Sequence, residues 1–517
     1  MTLREKILKT FVVTIREVNT HGGVKEFFKK YPVGGLYYSE GAVLTDENGV
    51  EMGTAMSHEK MLECKAAAKD LIVCADGVAV AGQKVRFNPQ KALGASRNLT
   101  DAYNLGKCIG MQCNDKGVDW ILAPSIDMCF DHLMYLLGIS DDPETIGKVY
   151  RQVIKGIQDQ GVCSTAKHFP GIGTSFVNMH IGPGANVLPF DEWLKTYGYT
   201  YREVMKENVA AIMTTHITLK SYTDERENGF NPIATFSKKI TTDLLKGDLG
   251  FKGAVVTDAL IMGGMATGDL IAETVQAFKA GADLLLWPPV EAAEKIEELI
   301  ISGEIPMSRL NDALERIEGM KTVKERAEKD GTIEKPNAGF VDEQTLKISK
   351  DGMCLLRNDI GLLPLDKNKI KNILIVDGTE NGGGDSSVLL KEEFIRRGFN
   401  ADLQRDIYDV PSRVCWQADI DKLQSRYDLV IFNIECAFVA EWSVPHMLIW
   451  ASHLFDKKKK LIINYGSPYF ASDYFFEDPT FIETNCNACR ETVEMLVDGI
   501  LGKSEFIGKS IFVRGNE

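Results

Sequence analysis

Ala254-Val-Val-Thr257 is a run of apolar and β-branched residues that leads directly to a carboxylate, Asp258. Near-continuous apolar character of this kind is typical of a strand that is buried on both faces of a parallel sheet. Seven further runs of the same kind lie at intervals along the first 320 residues. They are Phe11-Val-Val-Thr-Ile, Val33-Gly-Gly-Leu-Tyr-Tyr, Leu71-Ile-Val-Cys, Val118-Asp-Trp-Ile-Leu-Ala, Val162-Cys-Ser-Thr-Ala-Lys, Ala211-Ile-Met-Thr-Thr-His and Ala282-Asp-Leu-Leu-Leu-Trp.

Amphipathic patterns that are typical of helices separate these runs, as residues 99–113 and 143–160 illustrate. Eight strands that alternate with helices over a span of this length predict an α/β fold of the (β/α)8 barrel type. An open doubly wound sheet is the alternative that the pattern alone leaves open.

A second α/β domain is predicted after the barrel. Residues 321–342 are charged and contain no apolar strand, so we interpret them as a linker. The alternation then restarts with Asn372-Ile-Leu-Ile-Val-Asp, Asp428-Leu-Val-Ile-Phe-Asn and Lys460-Leu-Ile-Ile-Asn, and the basic run from Lys457 to Lys460 is interpreted as a solvated strand start. The sequence therefore predicts a barrel over residues 1–320, a linker over 321–342 and a smaller α/β sandwich domain over 343–517.

The composition excludes several classes of function. The 517 residues are 44% apolar and 26% charged, with a net charge of −14 and no strongly basic block, so no nucleic-acid partner is expected. No apolar run approaches the roughly 18 residues that a membrane span needs, and the N-terminus is too charged for a secretory signal. The 11 scattered cysteines favour buried, reduced thiols and a cytoplasmic location.

In a parallel barrel the functional residues lie at the carboxyl ends of the strands. Those ends carry Asp76, the pair Lys167 and His168, then His216 and Asp258. An ionised carboxylate at the end of a buried strand is costly without a partner. Position alone therefore favours a nucleophile or a cation ligand at Asp258 about as strongly as a helix N-cap.

Lys167-His-Phe-Pro-Gly171 opens a loop that continues to His180, and its glycines allow close approach to a ligand. Two histidines and a lysine in this stretch could form an acid/base group with substrate clamps. The residues alone slightly favour one core histidine and two surface residues instead. No third His, Cys or carboxylate lies at ligand spacing, so a zinc site is not predicted here.

Two other motifs are interpreted as structural. Cys486-Asn-Ala-Cys489 has CxxC spacing but no second pair, which favours two thiols at a helix start over a zinc site. Glu380-Asn-Gly-Gly-Gly384 follows a strand but lacks both the GxGxxG and the Walker pattern, which favours an ordinary loop over a phosphate site. We therefore predict no metal and no cofactor.

Several strings of the barrel occur together in a recognisable order. They are Ile121-Leu-Ala-Pro-Ser-Ile-Asp127, Lys167-His-Phe-Pro-Gly171 with His180, Leu188-Pro, Ile212-Met-Thr-Thr-His216-Ile, Pro232-Ile-Ala-Thr-Phe-Ser237, Leu249-Gly-Phe-Lys-Gly253, Thr257-Asp258 and Ala280-Gly-Ala-Asp283. The second domain adds Leu355-Leu-Arg-Asn-Asp359, Leu362-Leu-Pro-Leu365 and Gly466-Ser-Pro-Tyr469. Over nearly its whole length the chain resembles family 3 glycoside hydrolases, specifically the β-N-acetylglucosaminidase branch.

The resemblance implies a retaining β-glycosidase in which Asp258 is the nucleophile and His180 is the general acid/base. It assigns sugar-binding roles to five further residues: Asp76, Arg86, Lys167, His168 and His216. The implied partner is a small carbohydrate or glycoside, with an N-acetylhexosaminide as the sugar that the branch suggests. We expect no membrane partner, and the second domain to support the barrel or to mediate a homodimer.

The chain departs from the family pattern at two places. Asn178 stands where the family has the aspartate of a catalytic dyad, and an amide orients the imidazole without stabilising the imidazolium by charge. Leu136-Leu-Gly-Ile-Ser140 replaces an element whose arginine binds the sugar. Two alternatives therefore stay open. One is a catalytically degenerate member that binds a sugar or a partner, and the other is a glycoside phosphorylase, because a histidine acid/base does not repel phosphate.

Overall fold

The structure is a computed structural model of the chain. It describes residues 1–40, 43–45, 50–68, 70–77, 90–129, 138–172, 174–175, 177–223, 231–264, 267–379, 385–405, 417–435, 449, 451–466 and 468–512. These residues divide into two compact units, one within residues 1–83, 99–134 and 142–340, the other within 84–98, 135–141 and 341–517. The predicted domain boundaries stay a prediction, and two short segments from the first third of the chain belong to the second unit.

The described part of the first unit contains a parallel barrel. Its strands are β1 (Phe11–Val13), β2 (Gly35–Tyr37), β3 (Ile72–Ala75), β4 (Trp120–Ile121), β5 (Cys163–Phe169), β6 (Gly184–Asn186), β7 (Ala211–Thr214), β8 (Ile217–Leu219), β9 (Ala254–Thr257) and β10 (Leu285–Leu286). Eight of them pair in the order β10-β1-β2-β3-β4-β5-β7-β9, while β6 pairs with β8. A parallel bridge between Val256 and Leu284 joins the two ends of the sheet. Each barrel strand overlaps one predicted run, and the predicted fold class is confirmed.

Helices alternate with these strands along the chain. They are Leu3–Leu8, Ile15–Thr20, Gly23–Lys30, His58–Ala67, Leu99–Lys116, Pro143–Asp159, Phe190–Lys195, Tyr197–Met205, the π-helix Lys239–Asp248, Leu270–Ala280, Ala292–Ile301 and Met307–Asp330. Two of them, Leu99–Lys116 and Pro143–Asp159, approach closely through glycines, because a Cβ at Gly106 would overlap the carbonyl of Val153. The barrel strands are buried on both faces, which explains their continuous apolar sequence, as in β7 and β9.

Part of the predicted linker is helical. Helix Met307–Asp330 extends into the first half of the charged segment and ends at Gly331. The φ of 65° at Gly331 lies in the left-handed region that glycine favours. Ile317, Met320 and Val323 of this helix pack in the apolar cluster of the barrel. A helix that buries one narrow stripe keeps a charged surface, so its sequence resembles a linker.

The described part of the second unit is built on a six-stranded sheet. Its strands are β11 (Cys354–Asn358), β12 (Asn372–Thr379), β13 (Asn400–Gln404), β14 (Leu429–Glu435), β15 (Lys460–Asn464) and β16 (Thr480–Glu483), in the order β11-β16-β15-β14-β12-β13 with only β11 antiparallel. The helices among the described residues of this unit are Gln90–Ser96, Ala338–Gly352, Ser386–Arg396, Gln417–Gln424, the 3-10 turn Lys457–Lys459, Phe470–Asp473 and Arg490–Ile500. Successive residues of β14, such as Ile431 and Phe432, pack in different apolar clusters, so both faces of the sheet are covered.

Lys460 differs from the predicted solvated strand start. It is 1% exposed, and its Nζ lies 2.6 Å from Asp478 Oδ1 and donates to the carbonyl of Ser452 at 2.9 Å. Burial lowers the pKa of Lys460, and the Asp478 carboxylate partly opposes that effect. The first residue of a strand that pairs on both sides is buried with the strand, and only the three lysines before it form the turn at the surface.

Nine cysteines lie among the described residues; none of these nine is in a disulfide bond, and eight are buried. Cys489 is the N-cap residue of helix Arg490–Ile500. No helix within the described residues is long and apolar enough to cross a bilayer.

Candidate active site

Asp258 lies at the carboxyl end of β9, on the face where the parallel barrel strands end. Its Oδ2 accepts a hydrogen bond from the hydroxyl of Thr215 at 3.1 Å, and its Oδ1 accepts one from the N–H of Ala259 at 2.9 Å. Each carboxylate oxygen therefore has one fixed donor, and each keeps lone pairs for another group.

Three cationic or titratable side chains act on this carboxylate. Burial alone raises the pKa of Asp258, but His168, His216 and Lys167, together with the hydrogen bond from the N–H of Ala259, outweigh it, so that the pKa lies below its ordinary value of 3.8. The strand-end residues that the sequence singled out thus lie close enough to interact electrostatically. A carboxylate held ionised at this position can act as a nucleophile.

Lys167 and Asp76 form an ion pair across neighbouring parts of the barrel rim. Lys167 Nζ donates to Asp76 Oδ1 at 2.8 Å, and the hydroxyl of Tyr37 donates to Asp76 Oδ2 at 3.0 Å. Burial and the Asp76 carboxylate raise the pKa of Tyr37 well above its ordinary value, so its hydroxyl stays a donor. The ring of Trp287 packs edge-on against Tyr37, with 5.0 Å between ring centroids.

Asp127 fixes His168 and the start of the following loop. Its Oδ2 accepts hydrogen bonds from His168 N–H at 3.1 Å, from His168 Nδ1 at 2.8 Å and from the Ser125 hydroxyl at 2.9 Å. Its Oδ1 accepts from the N–H of Ile172 at 2.9 Å. With Nδ1 held in this way, Nε2 of His168 is the nitrogen left to face a ligand. Asp127 was present in the motif string that follows β4, yet its role depends on contacts that the string does not contain.

His216 has protein partners for both ring nitrogens. Nδ1 lies 2.9 Å from the hydroxyl of Thr235, and Nε2 lies 3.1 Å from the carbonyl of Ala259. Burial lowers the pKa of His216 despite the opposing charge of Asp258, which favours the neutral ring. A neutral ring then donates from Nε2 to the carbonyl of Ala259 and keeps Nδ1 beside the Thr235 hydroxyl, which also donates to the carbonyl of Thr215 at 3.2 Å. His216 thus fixes the turn after Asp258, and its nitrogens are not available to a sugar.

His180 lies on an exposed loop beside Asn178. Its Nδ1 lies 2.7 Å from Asn178 Oδ1, which also accepts from the N–H of His180 at 3.0 Å. The amide oxygen therefore lies where it can accept a hydrogen bond from Nδ1, which leaves Nε2 as the other ring nitrogen. Among the residues that the structure describes, Nε2 has no hydrogen-bond partner.

The turn after β9 holds the His180 loop in place. The N–H of Gly263 donates to the carbonyl of His180 at 3.1 Å, and that of Gly264 donates to the carbonyl of Met179 at 2.9 Å. A Cβ at Gly264 would overlap the Met179 carbonyl, so this close approach requires glycine. The loop with His180 and the strand end with Asp258 are consequently connected by two backbone hydrogen bonds.

Arg86 and the loop from Glu380 to Gly384 lie outside the described residues, as do the first two residues of the segment 136–140. For metals, the described part of the chain contains one group with suitable spacing, Glu17, His21 and Glu291, whose ligand atoms lie within 4.8 Å of one another. In the structure His21 Nε2 lies 3.0 Å from Glu291 Oε1, as an ion pair would. None of the three was a predicted site residue.

Comparison with known proteins gives a consistent picture. The glycosyl hydrolase family 3 N-terminal domain matches residues 2–320. A β-N-acetylglucosaminidase/β-glucosidase from Cellulomonas fimi is 22% identical over 81% of this chain and 78% of its own, and a β-hexosaminidase A from Pseudoalteromonas piscicida is 24% identical over 68% and 64%.

Solved structures share the whole fold. A β-glucoside phosphorylase bound to 2FGlc has a TM-score of 0.80 at 22% identity, covering 99% of this chain and 94% of that one. A family 3 β-N-acetylglucosaminidase from Paenibacillus sp. strain FPU-7 has a TM-score of 0.79 at 21% identity, covering 99% of both. The resemblance seen in the sequence is confirmed: the chain belongs to glycoside hydrolase family 3.

Proposed function

We propose that this glycoside hydrolase is a retaining β-glycosidase with Asp258 as its nucleophile and His180 as its acid/base. The carboxylate at the end of β9 supports the proposal best. Its pKa is lowered by His168, His216 and Lys167 against the effect of burial, and each oxygen has one fixed donor. A carboxylate nucleophile needs to be ionised and fixed in this way.

In the first step an oxygen of Asp258 attacks the anomeric carbon while the bond from that carbon to the glycosidic oxygen breaks. The imidazolium of His180 gives its Nε2 proton to the departing oxygen, so the leaving group departs as a neutral alcohol. Asn178 holds Nδ1 of the same ring and thereby sets the direction of Nε2.

In the second step the neutral His180 accepts a proton from water at Nε2. The resulting hydroxide attacks the anomeric carbon, and the bond from that carbon to Asp258 breaks. The carboxylate and the imidazolium are both regenerated, so the cycle needs no cofactor. Two displacements at one carbon retain the anomeric configuration.

The remaining predicted residues would bind or position the sugar. Lys167, Asp76 and His168 offer donors and acceptors to sugar hydroxyls, with Asp127 orienting His168. We assign a positioning role to His216, since both its nitrogens have protein partners. Arg86 stays a proposal from the family resemblance alone. The described residues of this proposal all belong to the first unit, in keeping with the proposed barrel over residues 1–320 and second domain over 343–517.

The names of the relatives narrow the choice of sugar. The Cellulomonas fimi protein is named for both N-acetylglucosaminide and glucoside hydrolysis, and the Pseudoalteromonas piscicida protein for hexosaminide hydrolysis. We infer that this chain acts on a β-N-acetylhexosaminide or a β-glucoside.

The test is hydrolysis of a panel of aryl β-glycosides by the wild type and by Asp258→Asn, with Asp191→Asn as the matched control. Asp191 is an exposed carboxylate on helix Phe190–Lys195. We expect Asp258→Asn to lose at least about a thousandfold in kcat, the control to keep full activity, and a 2-fluoro glycosyl fluoride to label Asp258 in the wild type. Full activity of Asp258→Asn with label elsewhere would overturn the assignment.

One observation also favours a phosphorylase. The predicted acid/base pair consists of an imidazole and an amide, so it carries no negative charge that would repel phosphate. A phosphorylase would release a sugar 1-phosphate and would be strongly accelerated by phosphate with the same panel. Indifference to phosphate would leave water as the acceptor.

A further inference from the structure

Three large apolar side chains near His180 are exposed. Ile181 is 80% exposed, Ile261 is 58% exposed and Val177 is 45% exposed. Single exposed apolar residues are common, but several on adjoining loops beside a candidate catalytic residue indicate a binding surface. We name these three residues the apolar rim.

The loops that carry the rim have separate anchors in the core. Met179 and Met262 are both buried in the apolar cluster of the barrel. Ile181 and Ile261, close to them in sequence, are left at the surface of the same loops. The rim residues are therefore not needed to hold the loops down, and their exposure calls for another explanation.

The two main rim residues belong to one connected structure. Ile181 follows His180, and Ile261 lies two residues before Gly263 in the turn after β9. The N–H of Gly263 donates to the carbonyl of His180 at 3.1 Å. A Cβ at Gly263 would also meet the carbonyl oxygen of Ile181 at 2.7 Å, so the backbones of the two loops are in contact. Substituting the rim side chains leaves these backbone contacts in place.

The position of the rim identifies the part of the substrate that it meets. His180 gives its proton to the oxygen of the leaving group, so a side chain beside His180 is near the aglycone. The charged residues, by contrast, lie at the strand ends, where Asp258, Lys167 and Asp76 would surround the sugar. We propose that Val177, Ile181 and Ile261 bind an apolar, aromatic or alkyl aglycone, which makes glycosides of apolar alcohols the substrate class. This inference rests on the proposed function.

The test compares two donors that carry the same sugar. One is a 2-naphthyl β-glycoside with a large apolar aglycone, and the other is the β-glycosyl fluoride, whose leaving group offers no apolar surface. We expect Ile181→Ser with Ile261→Ser to lower the ratio of kcat/KM for the naphthyl glycoside to that for the fluoride by about tenfold. Inhibition by free 2-naphthol should weaken by a similar factor.

Ile301→Ser is the matched control, since Ile301 is 74% exposed at the end of helix Ala292–Ile301 and far along the chain from both loops. It should leave the ratio unchanged. An unchanged ratio in the double variant would overturn the rim proposal while leaving the proposed function intact. If the wild type is a dimer and the double variant is a monomer with the ratio unchanged, the rim is an interface between copies and the aglycone proposal is overturned. Failure of the wild type to cleave either donor would refute the proposed function itself.

Discussion

Asn178→Asp tests whether His180 titrates as the acid of this enzyme. The substitution keeps the shape of the side chain and places a carboxylate where the amide oxygen lies, 2.7 Å from Nδ1 of His180. The same oxygen position would continue to accept the N–H of His180, now found at 3.0 Å. The geometry of the pair is preserved, and one negative charge is added beside the ring.

The size of the effect follows from the exposure of the pair. Both residues are exposed, so their interaction is screened by water, and unit charges about 4 Å apart gain about 1 kcal/mol there. Exposed ion pairs measured in proteins reach roughly the same upper value. At 1.36 kcal/mol per pH unit, the alkaline limb of kcat/KM should move up by about 0.7 pH unit. The sign is upward because the added charge stabilises the imidazolium, which is the form that donates the proton.

The assay is the pH profile of kcat/KM with an alkyl glycoside and with a 4-nitrophenyl glycoside of the same sugar. The alkyl substrate needs its leaving oxygen protonated, so on the alkaline limb Asn178→Asp should increase its turnover up to about fivefold. The nitrophenyl substrate leaves without much assistance and should gain little. Asn208→Asp is the control, because Asn208 is exposed, precedes β7 at the opposite end of the barrel and has a φ of 51° that Asp also tolerates.

Two results would refute the reasoning. If Asn208→Asp moves the limb as far as Asn178→Asp does, then net charge and not the contact with His180 controls the profile. If the limb does not move in Asn178→Asp while the protein is folded, then His180 is not the titrating acid.

Three further predictions concern stability and its pH dependence. Asp127→Asn should lower the free energy of unfolding in urea by about 2 kcal/mol, because one of the N–H groups that donate to Asp127 must then face an amide N–H. The same variant should also lower kcat/KM. The control is Asp283→Asn, which should affect only stability, because Asp283 is a buried carboxylate that accepts from Val255 at the other end of the barrel. Lys460→Ala leaves the buried Asp478 without its partner and should cost about 3 to 5 kcal/mol by the same measurement, and a loss below 1 kcal/mol would contradict the buried pair. The pKa of Asp258 is lowered in the folded protein, so its ionised form contributes stability above about pH 4, and this stability is lost as the pH falls through the folded pKa. The difference in unfolding free energy between the wild type and Asp258→Asn should therefore shrink on acidification. A difference that grows on acidification would contradict this sign.

The barrel was predictable because its strands are buried on both faces. Even β4 and β10, each with two residues in the structure, lie within longer apolar runs that the sequence displays. The charged part of helix Met307–Asp330 was not predictable in the same way, since it buries only a narrow stripe. The burial of Lys460 could not be predicted either, because its partner Asp478 lies on a later segment of the chain, just before β16.

The candidate site was likewise predictable only in part. Strand ends converge by topology, so Asp258, Lys167 and His168 could be grouped from sequence. The contacts that fix them could not: Asp127 accepts three hydrogen bonds from His168 and Ile172, far along the chain, and His216 is held by Thr235 on the segment that follows β8. Chain position names the groups at a barrel rim, whereas their protonation and orientation depend on partners distant in sequence.

The charges of the site are unevenly distributed, and this has a consequence for the acceptor of the glycosyl group. In the proposed mechanism the sugar side would carry Asp258 and Asp76, while the leaving-group side would carry Asn178, His180 and the apolar rim, none of which is anionic. After the aglycone departs, that side can admit either water or a phosphate anion without electrostatic cost. Asn178→Asp therefore has opposite effects on the two reactions. The added charge should strengthen His180 as the base that accepts a proton from water in the second step of hydrolysis, and it should repel phosphate in phosphorolysis. A fall in the ratio of sugar 1-phosphate to free sugar would therefore show that the missing negative charge at this position governs the choice of acceptor.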